Sequence, residues 1–542
     1  MSAAPTHPPA DRRRLALVAA ILGSFVVGLD STVVNVALPA ISGDLGGGLA
    51  GQQWVSNAYL LALGSLILIG GSLGDVYGER RVFTLGVAGF GLASVICAAA
   101  PSIELLVLAR GLQGVFGALL TPAALAVIIA VFPPDERGAA IGSWTAWQAI
   151  SGVIGPFAGG WLIDQASWRW IFAINVPFVI LTIVLVAIAV PGRGEETVRR
   201  RVDWPGAVLG ALGLAGPVFA LIRQPAVGWS SAEVYGPLLG GLGVFALFLL
   251  HEARAKDPML PLGLFRRRNF SAGNLETLVM YGGLSITFFF LVLFLQQVAG
   301  YSALEAGITT LPVTLVMFAL SKRFGALADR FGPRAFMGGG PLIAAVGLAW
   351  LTRAPAQVDY VVDLLPALLL FAIGLSITVA PLSAAVLADA DEHNAGIASA
   401  TNNAVARVAG LVAIAGLGAV IAGSFSGAID RELADQRLTP AAAAVVEEAK
   451  SRTLATADVS SLEGGEARLV AQAAEAASLD AFHEGMGIAA VLVALGGVIG
   501  IAGIRNPRRV VKAEDCSGGQ LVGAPRDAGR GPLVVDPDPA TA

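Results

Sequence analysis

Asp30 is the one acid in a long apolar run, Leu15–Leu38. In hydrocarbon a carboxylate costs at least about 2.5–3.5 kcal/mol on insertion scales, so it must face a cavity or a partner. A carboxyl that can take up and release a proton at that depth is the group from which a proton carrier is built. Arg110, in the run Leu105–Val131, is the expected partner. Gln113, three residues on, shares its helical face and can join by hydrogen bonding. Glu276, near the start of the run Leu275–Val298, either extends to the membrane boundary or serves as a second coupling carboxylate. A different chemistry, that of close approach, belongs to Gly152, Gly155, Gly159 and Gly160. They fall largely on one helical stripe, where small residues let a second helix come near. Pro156 removes a backbone donor in the same stretch and permits a kink. Asn35, Gln113, Trp147, Tyr281, Phe288 and Asn402 are candidates for the wall of a substrate cavity, and Asn403 and Arg407 add further polarity.

These groups need helices to hold them in lipid. The 542-residue chain is 55% hydrophobic and only 14% charged, against about 25% charge for a soluble domain. That composition excludes a water-soluble enzyme. The net charge of −4 carries no nucleic-acid footprint. A bilayer core of about 30 Å takes about 20 apolar residues per helix. Fourteen runs qualify: Leu15–Leu38, Val55–Gly71, Val82–Ala99, Leu105–Val131, Ala140–Ile163, Ile171–Val190, the weaker Ala207–Ile222 and Tyr235–Leu250, then Leu275–Val298, Ile308–Phe324, Ala335–Leu351, Leu364–Leu387, Ala395–Ile421 and Met486–Ile504. The first run is too long for the core of a signal peptide and reads as an uncleaved span. The links Ser42–Gln53 and Ala299–Gly307 lack Lys and Arg, whereas Arg12–Arg14, Arg80–Arg81, Arg137, Arg199–Arg201, Arg266–Arg268 and Lys322–Arg323 crowd the other side. Positive charge is retained in the cytoplasm, so both termini are expected there. The Ala- and Glu-rich stretch 423–482 then lies outside as one or two solvated helices, and the Gly- and Pro-rich residues 505–542 read as a disordered tail.

A repeat divides the chain. Gly71, Leu73, Asp75, Gly78 and Arg80 recur as Gly325, Leu327, Asp329, Gly332 and Arg334, all at an offset of 254 residues (325 − 71 and 334 − 80). Both copies follow an even-numbered span on the basic side. Duplicated halves flanking a midplane site are a common construction of secondary transporters. Gly71, Asp75, Gly78, Arg80, Arg81, Asp329 and Arg334 are therefore expected to form a cytoplasmic gate, its aspartates and arginines latching the inner ends by ion pairs.

The stretch Gly71–Arg81 resembles the loop motif of the major facilitator superfamily. Leu29–Pro39 is similar to the first-span motif of its fourteen-span drug:proton antiporters, the EmrB/QacA-like group. Leu108–Gly114 resembles the fourth-span motif, Gly152–Gly160 the fifth-span antiporter motif, and Trp168–Phe172 with Asn175–Pro177 also match that group. The resemblance runs from about Leu15 to Ile504. It implies an all-α polytopic membrane protein of two six-helix bundles plus two inserted helices. On that pattern residues 1–14 are a cytoplasmic tail, 15–190 the first bundle, 191–269 a linker with the inserted pair, 270–504 the second bundle with its loop 423–482, and 505–542 the tail. It also implies that Asp30 couples protons and that the span-five glycines seal the interior against leak during exchange.

The four lysines, Lys256, Lys322, Lys450 and Lys512, none following a glycine, leave no phosphate-binding G-x-x-x-x-G-K loop. The four histidines are scattered, and Cys97 and Cys516 are far apart, so neither a metal site nor a catalytic triad is expected. With no cofactor, the energy source must be a proton gradient. The expected function is proton-coupled efflux of hydrophobic or cationic drugs or antibiotics by alternating access, in the bacterial cytoplasmic membrane. The partners are a small-molecule substrate, protons and the lipid bilayer, with no nucleic acid, and the unit is a monomer. Export of one endogenous metabolite or lipid, and a non-transporting membrane sensor, stay open as alternatives.

Overall fold

The computed structural model describes residues 8–191, 203–256, 258–388, 395–436, 438–451, 454, 457–462 and 464–506. The side chains of a few residues within its helices, Asp75 and Asp329 among them, lie outside the described set. Helices account for all the regular structure among the described residues. In lipid every backbone polar group must be satisfied within its own segment, which is why an apolar chain of this kind is built from helices.

The first half contains α1 (Ala10–Leu45), α2 (Gly48–Tyr77), α3 (Glu79–Ala98), α4 (Ile103–Val131) and α5 (Pro134–Gln165). A one-turn α6 (Trp170–Ala173) runs into α7 (Asn175–Ala189) to make the sixth crossing. The inserted pair is α8 (Trp204–Val227) and α9 (Ala232–Glu252). The second half contains α10 (Arg268–Gln297), α11 (Ala303–Thr309) leading into α12 (Leu311–Phe331), α13 (Arg334–Leu351), α14 (Leu365–Ala388), α15 (Ala395–Leu433), α16 (Pro440–Ser451) and α17 (Gly464–Gly503). Twelve helical stretches among the described residues are long and apolar enough to cross a membrane. With α2 and α5, of 30 and 32 residues, the architecture is compatible with fourteen crossings. The helices reach beyond the apolar runs. In α1 the helix already includes Arg12–Arg14, and at 36 residues it is about 54 Å long. Residues 1–7, 192–202 and 507–542, which hold parts of the expected tails and linker, lie outside the described set.

The sequence repeat has a structural counterpart. Gly78 ends α2 at φ +87° and Gly332 ends α12 at φ +89°, each N–H closing on the carbonyl four residues back. A side chain at either φ is strained, so glycine sets both turns. Two residues later, Arg80 donates to the Ala187 carbonyl at the end of α7, and Arg334 donates to the Ile501 carbonyl at the end of α17. Each arginine thus caps the negative end of the last helix of its own half. The face carrying these caps, and the start of α1, is called the basic face below.

The segment 423–482 is less a loop than an extension. Helix α15 continues to Leu433 and α17 begins at Gly464, with α16 laid between them. Its apolar residues Ala442, Val446, Leu454, Val470 and Ala477 are buried in one core with the transmembrane region. Phe482 stacks on Phe294 of α10. Lys450 bridges Asp430 of α15 and Glu447 of α16 at 2.7 Å each. Partial burial opposes its charge, but the two carboxylates outweigh that and hold the ammonium above its usual range.

Helix α8 packs against both α2 and α15, one from each half. Val218 and Ile222 of α8 join Leu411 and Ala415 of α15 in one apolar cluster, with Trp54 of α2 against it. The inserted pair therefore lies over the α2–α15 seam.

Candidate functional site

Five segments of the first half converge on Asp30. Its carboxylate forms an ion pair with Arg110 of α4 through Oδ2. Its Oδ1 accepts from Gln113 Nε2 at 2.8 Å and from Asn175 Nδ2 at 3.3 Å. Arg110 Nη1 also donates to Gln113 Oε1 at 2.7 Å, and Nε donates to the Val55 carbonyl of α2 at 3.1 Å. Ser94 Oγ of α3 accepts from both Gln113 and Asn175. The guanidinium lies 4.3 Å from the centroid of the Tyr59 ring and 5.8 Å from that of Phe172. Asp30, Gln113, Asn175 and Ser94 are 0% exposed and Arg110 is 1% exposed. Three donors, one of them charged, aim at the carboxyl oxygens of Asp30. One carboxylate and its ion pair thus tie five segments of the first half together.

Contacts between the halves cluster near the face opposite the basic one. Gln296 of α10 donates to the Val36 carbonyl of α1 at 2.9 Å, and Gln53 of α2 donates to the Ile414 carbonyl of α15 at 2.7 Å. Asp164, at the end of α5, accepts from the backbone N–H groups of Ala303 and Leu304, the first turn of α11. A carboxylate there satisfies two orphan donors and meets the positive end of that helix. The glycine stripe works on two neighbours. Gly155 and Gly159 face Thr32 and Val33 of α1. A Cβ at Gly160 would lie 2.5 Å from Leu304 Cα, and Gly307 of α11 sits directly on the Pro156 carbonyl. Gly152 has open space around it instead, so it makes no part of this contact.

The remaining expected residues fall in different places. Glu276 is 0% exposed, neither of its carboxyl oxygens has a hydrogen-bond partner among the described residues, and it lies beside Gly496 and Gly500 of α17. It lies about 12 Å from the start of α10, with its side chain turned into the bundle toward α17. Gln113, expected on a cavity wall, is enclosed in the Asp30 network because that network needs its amide. Trp147 is exposed, as are Ile154 and Trp161 at seven-residue spacing. That stripe points away from both α1 and α11, so it faces the surroundings of the protein rather than a central cavity. Asn402 spends its amide on Asn274 and Thr277 of α10. Asn35 and Tyr281 are half-buried, and half-buried Phe288 packs its ring near Phe371 of α14. In the gate motif, Gly71 lies within α2 and Arg81 is exposed, while the side chains of Asp75 and Asp329 lie outside the described residues.

Ser94, Tyr59, Asp164 and Gln53 carry much of this geometry without having been singled out from the sequence. Their only signal is polarity in or beside an apolar run.

The chain matches the Major Facilitator Superfamily over residues 20–414. It is 38% identical over 439 residues to the puromycin resistance protein pur8 of Streptomyces alboniger, covering 80% of this chain and 86% of that one. It is 34% identical over 436 residues to the tetracenomycin C resistance and export protein of Streptomyces glaucescens, covering 80% and 81%. Its fold matches the crystal structure of a bacterial homologue of the human lysosomal transporter Spinster, in an inward-facing and occupied conformation, with a TM-score of 0.64 and 17% identity over 92% of this chain and 97% of that one. An all-helical chain of two halves, the first enclosing a buried ion pair, is with these relatives a multi-pass membrane transporter rather than an enzyme, and it belongs to the Major Facilitator Superfamily.

Proposed function

We propose that this protein exports hydrophobic or cationic drugs or antibiotics in exchange for protons, by rocking its two halves around a central site. The observation that carries the reading is the enclosed Asp30–Arg110 pair, a carboxylate whose protonation must loosen its own surroundings. Arginine distribution supports a basic face in the cytoplasm with both termini there, so the arrangement described is closed to the outside. Asp164, Gly160 and Gln53 then hold the outer seal. Protons arriving from outside in the alternate state load Asp30, and release inside restores the pair. Glu276 is a second candidate for coupling, and Asp75 and Asp329 are candidates for latching the inner ends once they close. No cofactor is needed, and a monomer contains every group invoked. One charge crossing 100 mV is worth about 2.3 kcal/mol, enough for a roughly fifty-fold gradient of a neutral substrate.

The relatives named for puromycin and tetracenomycin C resistance support export of antibiotics. Purified protein in liposomes with an internal pH-sensitive dye tests the reading. Addition of lipophilic cations or neutral antibiotics under an imposed gradient is expected to trigger proton movement in wild type. Substrate binding without any proton movement would leave a sensor as the better description.

A further inference from the structure

Arg407 lies in α15, twelve residues from its start at Ala395, about 18 Å into the span. Its Cβ packs 3.2 Å from where a side chain on Gly64 of α2 would begin, so it sits on the seam between the halves. Helix α15 meets α10 on either side of it, Asn402 bonding to Thr277 and Ala409 and Ala413 lying against Gly282, so Tyr281 of α10 stands at the same level. Among the described residues it makes no hydrogen bond or ion pair, and it is half-buried. An arginine at such depth is costly and is normally paired or turned to a watery cavity.

The two carboxylates near this level do not serve it. Asp30 is committed to Arg110, Gln113 and Asn175. Glu276 precedes Tyr281 by five residues, which turns it about 140° away around α10, toward α17. The hydroxyl of Tyr281 also has no partner among the described residues, so a phenolic donor and a guanidinium face one space.

We propose that Arg407 and Tyr281 form the polar end of the substrate site, and that the preferred substrates carry a carboxylate, phenolate or comparable accepting oxygen on an apolar, aromatic body. The guanidinium supplies the missing charge partner, and the phenol donates to the same oxygen. Half-buried Phe288, two turns further along α10 and backed by Phe371 of α14, supplies apolar surface. This rests on the exporter reading and narrows it, placing acidic compounds ahead of purely cationic ones. Exchanging one anion outward for one proton inward moves two charges along the membrane field, twice the electrical work available to a neutral substrate.

The test uses the full-length protein with three fluorescent probes sharing one aromatic body: pyrenebutyrate, its methyl ester and the matching pyrenebutyl trimethylammonium. Wild type is expected to bind the acid about tenfold more tightly than the ester, as for a charge-assisted hydrogen bond gained. Arg407→Gln should erase that preference while leaving the ester's affinity in place, and Arg407→Lys should restore part of it. Equal loss for all three probes would mark Arg407 as a prop between α2 and α15 and overturn the proposal. So would equal binding of acid and ammonium by wild type. Proton movement in liposomes separates the two readings. An Arg407-dependent acid preference without proton exchange sinks the exporter and keeps the site, whereas exchange indifferent to Arg407 does the reverse.

Discussion

Asp30→Asn is the most informative single change. The substitution keeps the shape and one acceptor for Gln113 and Asn175 but removes the charge that faces Arg110. Arg110 is 1% exposed, so it cannot turn to water, and an uncompensated buried charge costs about 3–5 kcal/mol. For a unit of the first half's size, each kcal/mol is worth about 2–4 °C, so Tm should fall by roughly 6–20 °C. The double variant Asp30→Asn with Arg110→Met removes both charges and should recover most of that loss, since an apolar replacement of a buried pair is often neutral. Proton exchange, by contrast, should be absent from the single and the double variant alike. Thermal unfolding in detergent reads the first effect, and dye-loaded liposomes read the second. Wild-type export against a gradient by Asp30→Asn would falsify the coupling role. Equal destabilisation of single and double variants would show that the lost ion pair is not the source of the damage.

Gly160→Leu should lower turnover at least about tenfold with the protein still folded, because the added side chain meets the Leu304 backbone; normal transport counts against a working α5–α11 contact. Asp164→Ala removes the acceptor for two N–H groups of α11, a loss of about 0.5–2 kcal/mol. That should raise labelling of a reporter, Asn35→Cys, by an impermeant thiol reagent applied from the face opposite the basic one. Cys97 is fully buried and should give little background, and an unchanged rate would exclude Asp164 from the seal. Arg80→Ala and Arg334→Ala should each cost only about 0.3–1 kcal/mol and by similar amounts, measured by thermal unfolding. A large effect of one alone would mean that the two caps are not equivalent.

The helical runs, the repeat and the Asp30–Arg110–Gln113 constellation are legible in the sequence for one reason. In an apolar run a charge has few tolerable fates, and residues three apart on a helix share a face. Ser94 and Asn175 complete the same network, yet they come from helices distant in the chain, and no periodicity encodes which helix meets which. Asp164 is similar: its partners are backbone groups of α11, invisible to any residue pattern. Trp147, Ile154 and Trp161 share a stripe by spacing alone, but the stripe meets the outside only because α1 and α11 occupy the other sides of α5. The orientation of Glu276 into its own bundle likewise depends on where α17 lies.

The position of the inserted pair makes the transporter's two flanks unlike one another. One seam, between α2 and α15, is roofed by α8, and among the described residues the inserted pair packs on no such scale against α5 or α12. A compound dissolved in the bilayer therefore meets two different walls as it diffuses past. On one flank it would have to displace a packed helix bearing Val218 and Ile222, whereas on the other only the halves themselves must part. The two flanks therefore differ in what must move for them to open: a packed helix as well as the halves on one, the halves alone on the other.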